Sequence, residues 1–181
     1  PYFDTYNIHS YDWPDSYINI FAPARKAACG KPIWLTECDR GMQSIGNLPW
    51  YDLSPENNLL KAQFMAQSYA SSLSAGVDRH FHFVLVHYTE GSDDQNKIQF
   101  GLLRKDLTPR PSYVALAAVG RFLAGAKPLG KYSLPDRPDC HVYAFRARPD
   151  GKVRDVVVAW AEKPGEWPTR GKYSTPWPLP N

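Results

Sequence analysis

The residues with the most chemistry in them lie in PIWLTECDRG, positions 32–41, where a short apolar run ends on the acids Glu37 and Asp39. A carboxylate there can serve as nucleophile, general base or general acid, or it can simply pair with a neighbour such as Arg40. Side chains alternate along a strand, so the count puts Ile33 and Leu35 on the face of Glu37 and turns Trp34 and Thr36 the other way, toward covering helices. The same count along FDTYNIH, residues 3–9, and just beyond it gathers Asn7, His9 and Tyr11 on one face. Asp39 reads as a loop cap or salt-bridge residue.

Glu37 keeps informative company. His9, Tyr11 and Tyr88 fall at or just past the ends of strand-like runs, and Trp13 and Trp50 occupy the adjoining loops. Aromatic faces stack on the apolar faces of pyranose rings, and His, Tyr and Asn side chains hydrogen-bond hydroxyls. Catalytic Glu37 and binding residues Asn7, His9, Tyr11, Trp13, Trp50 and Tyr88 therefore make a set suited to a sugar. Either Tyr11 or His9 is expected to hold the Glu37 carboxylate.

Three strand-then-helix units position this set. The strands are expected at Phe3–His9, Pro32–Glu37 and His80–Val86, and the helices within Asp15–Cys29, Pro55–Ser74 and Pro111–Ala124. Ser54 and Pro55 form an N-cap and N1 pair, and Gly30, Gly76 and Gly125 stand where helices stop. Pro23 is expected either to kink the first helix or to restart it. Leu59, Leu60, Phe64, Tyr69 and Leu73 lie roughly one turn apart and predict the apolar face of the second helix. Strands alternating with helices of this length predict a parallel sheet with crossover helices. After Lys127 the pattern changes: HVYAFRA and VRDVVVAWA flank RPDGK, two strands about an Asp-Gly turn, which opens a small antiparallel β domain.

Composition limits the alternatives. The 181 residues are 43% hydrophobic and 14% aromatic, enough for one ordinary core. Lys and Arg number 21 against 18 Asp and Glu, without a basic run or stripe, so neither nucleic acid nor a membrane surface is an expected partner. Cys29, Cys38 and Cys140 are too few and too scattered for a disulfide framework or a zinc knuckle. The opening PYFDTYNIHSY lacks the charged and apolar regions of a signal peptide, and no apolar run reaches ~18 residues, so a soluble chain beginning inside structure is expected.

The segments NIHSYD, KPIWLTECDRG, AGVDRHFHFVLVHYTEG and FGLLRKDLTPRPSYVALAAV resemble the last three strands of a clan A glycoside hydrolase, a (β/α)8 barrel. The similarity runs from about Phe3 to Ala124. It implies an α/β fold in which residues 1–127 are the C-terminal three β/α units of such a TIM barrel. Residues 128–181 then begin the β-sandwich that often follows one. It implies a retaining mechanism with Glu37, at the end of PIWLTE, as nucleophile, and a second carboxyl ~5 to 5.5 Å away serving as acid and then base. In the family that acid ends the fourth strand, upstream of everything present. The missing N-terminal part of the same barrel is thus an implied partner, and a glycoside, oligosaccharide or polysaccharide the implied substrate. No cofactor and no metal is implied, and the resemblance favours an extracellular or periplasmic location. Glu90, Asp93 and Asp94 follow the third strand beside Glu37, not across a cleft from it, and are not expected to replace the acid. Where relatives often carry a sugar-stacking Trp on the last strand, this chain has His82 and Tyr88.

Two other readings compete. His9, His80, His82 and His87 accompany Glu37 and Asp39, and His80 and His82 share a strand face as a metal-binding pair would, which suits a metal-dependent barrel hydrolase. A non-catalytic carbohydrate-binding protein on a degenerate barrel is the other.

Overall fold

A computed structural model of the chain describes residues 2–43, 52–90 and 98–162. Among them the fold is mixed α/β, with three α-helices and three small sheets. The elements in order are β1 (Tyr6–His9), a 3-10 turn (Pro14–Ser16), α1 (Tyr17–Ala27), β2 (Ile33–Glu37), β3 (Met42–Gln43), α2 (Pro55–Ser74), β4 (Arg79–His80), β5 (Tyr88–Glu90), β6 (Ile98–Phe100), α3 (Pro111–Leu123), β7 (Lys127–Tyr132), β8 (Cys140–Ala147) and β9 (Arg154–Ala161).

The first sheet is parallel, ordered β1-β2-β4, with crossovers through α1 and α2. Apolar side chains from one of its faces join the helices in a single core: Ile33 and Leu35 lie with Tyr17, Phe21, Ala24, Phe64 and Met65, and Tyr6 and Ile8 pack against them. Helix α1 runs unbroken through Pro23. The bond Pro23 cannot donate would have gone to the carbonyl of residue 19, and Asn19 is exposed, where water can satisfy it.

Helix α2 starts as its sequence predicts, with Ser54 Oγ accepting from the Asn57 N–H at 3.2 Å and Pro55 in the first turn. Its apolar stripe is less simple. Leu59, expected on the buried face, is exposed, whereas Lys61, Ser68, Ser71 and Ser72 are buried. The helix is enclosed because it packs on α1 on one side and on α3 and the third sheet on others, and small side chains let those neighbours approach.

The strand expected over His80–Val86 is regular only at Arg79–His80. Extended chain continues past it, with Phe81 N–H bonded to the Leu35 carbonyl at 2.8 Å and Phe83 N–H to that of Cys38 at 2.9 Å. The chain then turns away, since Leu102 and Leu103 donate to Val84 and Leu85. Residues 88–90 and 98–100, which lie past the expected strand, pair in a second, antiparallel sheet ordered β3-β6-β5. Two glycines make that crossing possible. A Cβ on Gly101, whose φ is +99°, would stand 2.2 Å from the Val86 carbonyl oxygen, and one on Gly41 would stand 2.3 Å from the Ile98 side chain.

The third sheet, β7-β8-β9, is antiparallel and lays Tyr143 and Phe145 against Ala70 of α2 and Val119 and Leu123 of α3. Strands β8 and β9 are the two expected about RPDGK, and β7 adds a third on the far side of β8. No helix among the described residues is long and apolar enough to cross a membrane.

Candidate active site

Glu37 reaches its position by a route that simple alternation does not give. Ile33 and Leu35 face the helices, and Trp34, whose ring lies 6.0 Å from that of Phe81, faces away from them. This reverses the expected assignment, in which Ile33 and Leu35 shared the face of Glu37. Continued alternation from Leu35 would drive the carboxylate into the apolar cluster, at a cost of several kcal/mol for an unpaired buried charge. The pairing slips by one residue instead. Tyr6, Asn7 and Ile8 stand opposite Ile33, Trp34 and Leu35, but His9 stands opposite Glu37, so Thr36 has no counterpart. A slip of one residue exchanges the two faces of a strand. Glu37 therefore ends on the open face of the sheet beside His9, and the next residue, Cys38, returns to the core, where its Sγ lies 3.0 Å from the Tyr17 hydroxyl.

The Tyr11 hydroxyl donates to Glu37 Oε2 at 2.5 Å, and His9 Nδ1 lies 3.3 Å from the same oxygen. Among the described residues neither contact uses Oε1. The Glu37 side chain is 35% exposed and that of His9 54%, so the carboxylate is held yet reachable. Tyr11 is flanked edge-on by Phe83 and Phe100 at 6.0 and 5.9 Å, and Tyr88 closes the group against both. Burial first, and then the bond to Glu37 beside it, hold the Tyr11 phenol well above its usual range. It keeps its proton and acts as a donor.

Behind the open face lies a buried polar layer. Asp39 and Lys61 are 0% and 1% exposed, with Lys61 Nζ donating to Asp39 Oδ2 at 2.6 Å and to the Arg40 carbonyl at 3.1 Å. Asp39 Oδ1 accepts the Arg40 N–H at 2.7 Å, so Asp39 caps its own loop and pairs with α2 at once. Arg40 itself does not pair with Glu37. Its Nη1 donates to the Tyr11 carbonyl at 2.9 Å, and its guanidinium carbon sits 5.1 Å from the Trp13 ring centroid.

His80 turns toward α2 and His82 toward Asp39. His80 Nδ1 lies 2.8 Å from Ser72 Oγ and its ring stacks on Tyr69 at 3.8 Å. His82 Nε2 is 3.7 Å from Asp39 Oδ2, beyond hydrogen-bond reach. Burial lowers their pKa values to about 3 and about 4, so both are neutral near pH 7 and His82 makes no ion pair with Asp39. Among the described residues no group of three or more His, Cys, Asp or Glu side chains is gathered as a metal ion would require.

The remaining expected site residues divide. Asn7 is on the open face opposite Trp34, with its Oδ1 accepting from Thr5 Oγ1 at 3.2 Å. Tyr88 is 42% exposed. Trp13, expected as an exposed platform in a loop, is instead a core residue: it is 9% exposed, edge-on to Phe64, with Arg40 over its ring. Its place between β1 and the 3-10 turn brings it over α2, which sequence spacing does not reveal. Trp50, Asp93 and Asp94 lie outside the described residues. Arg40, Lys61, Phe83 and Phe100 were not among the expected site residues. Lys61 had a signal: it stands one turn before Phe64 on a helix face that is otherwise buried.

No protein-family model matches the chain, and no curated protein matches it by sequence. Solved structures do. One is a family 39 glycoside hydrolase from the gut symbiont Bacteroides cellulosilyticus WH2, at 23% identity over 83% of this chain and 27% of that one, with a TM-score of 0.51. Another is SrfJ from Salmonella typhimurium, at 12% identity over 86% of this chain and 38% of that one, with a TM-score of 0.43. The chain thus spans little more than a quarter of the first of these proteins. The first likeness is one of fold: the chain resembles part of a glycoside hydrolase.

Proposed function

We propose that this chain supplies the nucleophile of a retaining glycoside hydrolase, and that Glu37 is that nucleophile. The observation that carries the reading is a reachable carboxylate at the C-terminal end of a parallel strand, where α/β enzymes place their sites, held through Oε2 alone by Tyr11 and His9. Oε1 is then the oxygen that attacks the anomeric carbon as the glycosidic bond breaks. A second carboxyl protonates the departing oxygen, and a water that it later deprotonates hydrolyses the glycosyl ester, restoring Glu37. By the resemblance that second group lies upstream of Phe3. In this reading Asn7, His9 and Tyr88 meet sugar hydroxyls and ring faces, and the substrate is a glycoside, oligosaccharide or polysaccharide.

The test is chemical labelling. Full-length protein incubated with a slow 2-fluoro glycoside is digested and its peptides weighed. A glycosyl adduct on Glu37 is expected; an adduct elsewhere, or a product of inverted anomeric configuration, would sink the reading.

A further inference from the structure

Arg40 makes no contact with Glu37, yet its contacts lead back to it. Its N–H and carbonyl are pinned by Asp39 Oδ1 at 2.7 Å and Lys61 Nζ at 3.1 Å, so the buried Asp39–Lys61 pair fixes its backbone. Its Nη1 holds the Tyr11 carbonyl at 2.9 Å. Tyr11 lies beyond the last paired residue of β1, so no strand ladder fixes it there. From its hydroxyl Tyr11 donates to Glu37 at 2.5 Å. The circuit closes: Glu37 runs through Cys38 and Asp39 to Arg40, Arg40 bonds the Tyr11 backbone, and the Tyr11 side chain returns to Glu37.

The arrangement is a poor way to stabilise a fold. Arg40 Nε and Nη2 are buried with no hydrogen-bond partner among the described residues, and burial lowers the guanidinium pKa against the favourable fields of Asp12, Tyr17 and Asp39. A desolvated cation with unmet donors costs stability. A methionine of similar length would lie against Trp13 without that cost.

We infer that Arg40 is a positioning residue of the Glu37 site, fixing the Tyr11 backbone so that the Tyr11 hydroxyl stays on Glu37 Oε2. The inference rests on Glu37 being the nucleophile. It predicts that activity and stability move apart when Arg40 is changed.

The experiment measures kcat on an aryl glycoside and Tm in the full-length protein, for Arg40→Met, Tyr11→Phe, the double variant and Glu37→Gln. Arg40→Met should lower kcat roughly tenfold while Tm holds or rises, and the double variant should fall within about twofold of Tyr11→Phe alone, because members of one network are not additive. Losses that multiply in the double variant overturn the inference, as does Arg40→Met with unchanged kcat. If Arg40→Met does not fold, Arg40→Lys, which keeps a cation over Trp13 and one donor, runs the same cycle under the same criteria of additivity. Glu37→Gln separates the two claims. An inactive Glu37→Gln with multiplying losses overturns the role of Arg40 alone, whereas a fully active Glu37→Gln removes the nucleophile and this inference with it.

Discussion

Because Phe83 and Phe100 hold the Tyr11 ring edge-on, replacing Tyr11 by Phe removes one oxygen and leaves the packing in place. The lost bond contributes ~0.5 to 1.5 kcal/mol to stability as an ordinary hydrogen bond, and ~1.5 to 3 kcal/mol where its acceptor is charged. At about 1.4 kcal/mol per tenfold in rate, the second figure corresponds to roughly ten- to a hundredfold in kcat if the bond matters in the transition state. Tyr11→Phe is therefore expected to stay folded with a Tm lower by several degrees, and to turn over at least tenfold more slowly, as steady-state kinetics beside a melting curve would show. Kinetics identical to the parent would take Tyr11 out of the site. Asp39 illustrates the contrast. It is as acidic as Glu37 and only two residues away, but it is fully buried and occupied by Lys61 and Arg40, so it offers no lone pair to a substrate.

At the scale of elements, β4 and the extended chain after it carry two neutral buried imidazoles, and this sets a pH dependence. His80 and His82 titrate near 3 and 4 when folded, against about 6.5 in an unfolded chain. Between those values the unfolded state binds more protons than the folded one, so stability rises with pH across that window. The contribution is fully present above about pH 6.5 and is lost as pH falls toward 4 and then 3. Urea midpoints should decrease as pH is lowered from about 6.5 to about 4, and His80→Gln should flatten part of that slope; an unaltered slope would mean that His80 is not the buried base described. The same elements show what sequence could carry. The extent and N-cap of α2, with its Ser54 and Pro55, and the strand ending at Glu37 were legible, because capping chemistry and short apolar runs are local. The face of Glu37 was not. Counting along Ile33, Leu35 and Glu37 gave a shared inward face, whereas the structure buries the first two against helices and turns Glu37 over by a slip at Thr36, a residue with nothing unusual in its type. Trp13 went into the core and Lys61 under Asp39 for the same reason: each depends on an element distant in sequence.

At the scale of the molecule, the helices cover one face of the parallel sheet among the described residues. Its open face and the chain after β4 leave Phe81, Leu85 and Val86 about half exposed, and β1 and β4 are the outer strands of the three. Open edges and exposed apolar side chains are templates for association. The 181-residue chain is expected to bind a hydrophobic dye such as ANS and to run as a mixture of oligomers in light scattering. A monodisperse monomer that leaves the dye dark would show that this face tolerates water. The slip at Thr36 also governs how the molecule is laid over any other. Carried forward from Ile33–Leu35 without a gap, a superposition sets Thr36 beside His9, whereas in space Glu37 stands there, so a single gap decides which residue is matched to another protein's strand-end carboxylate.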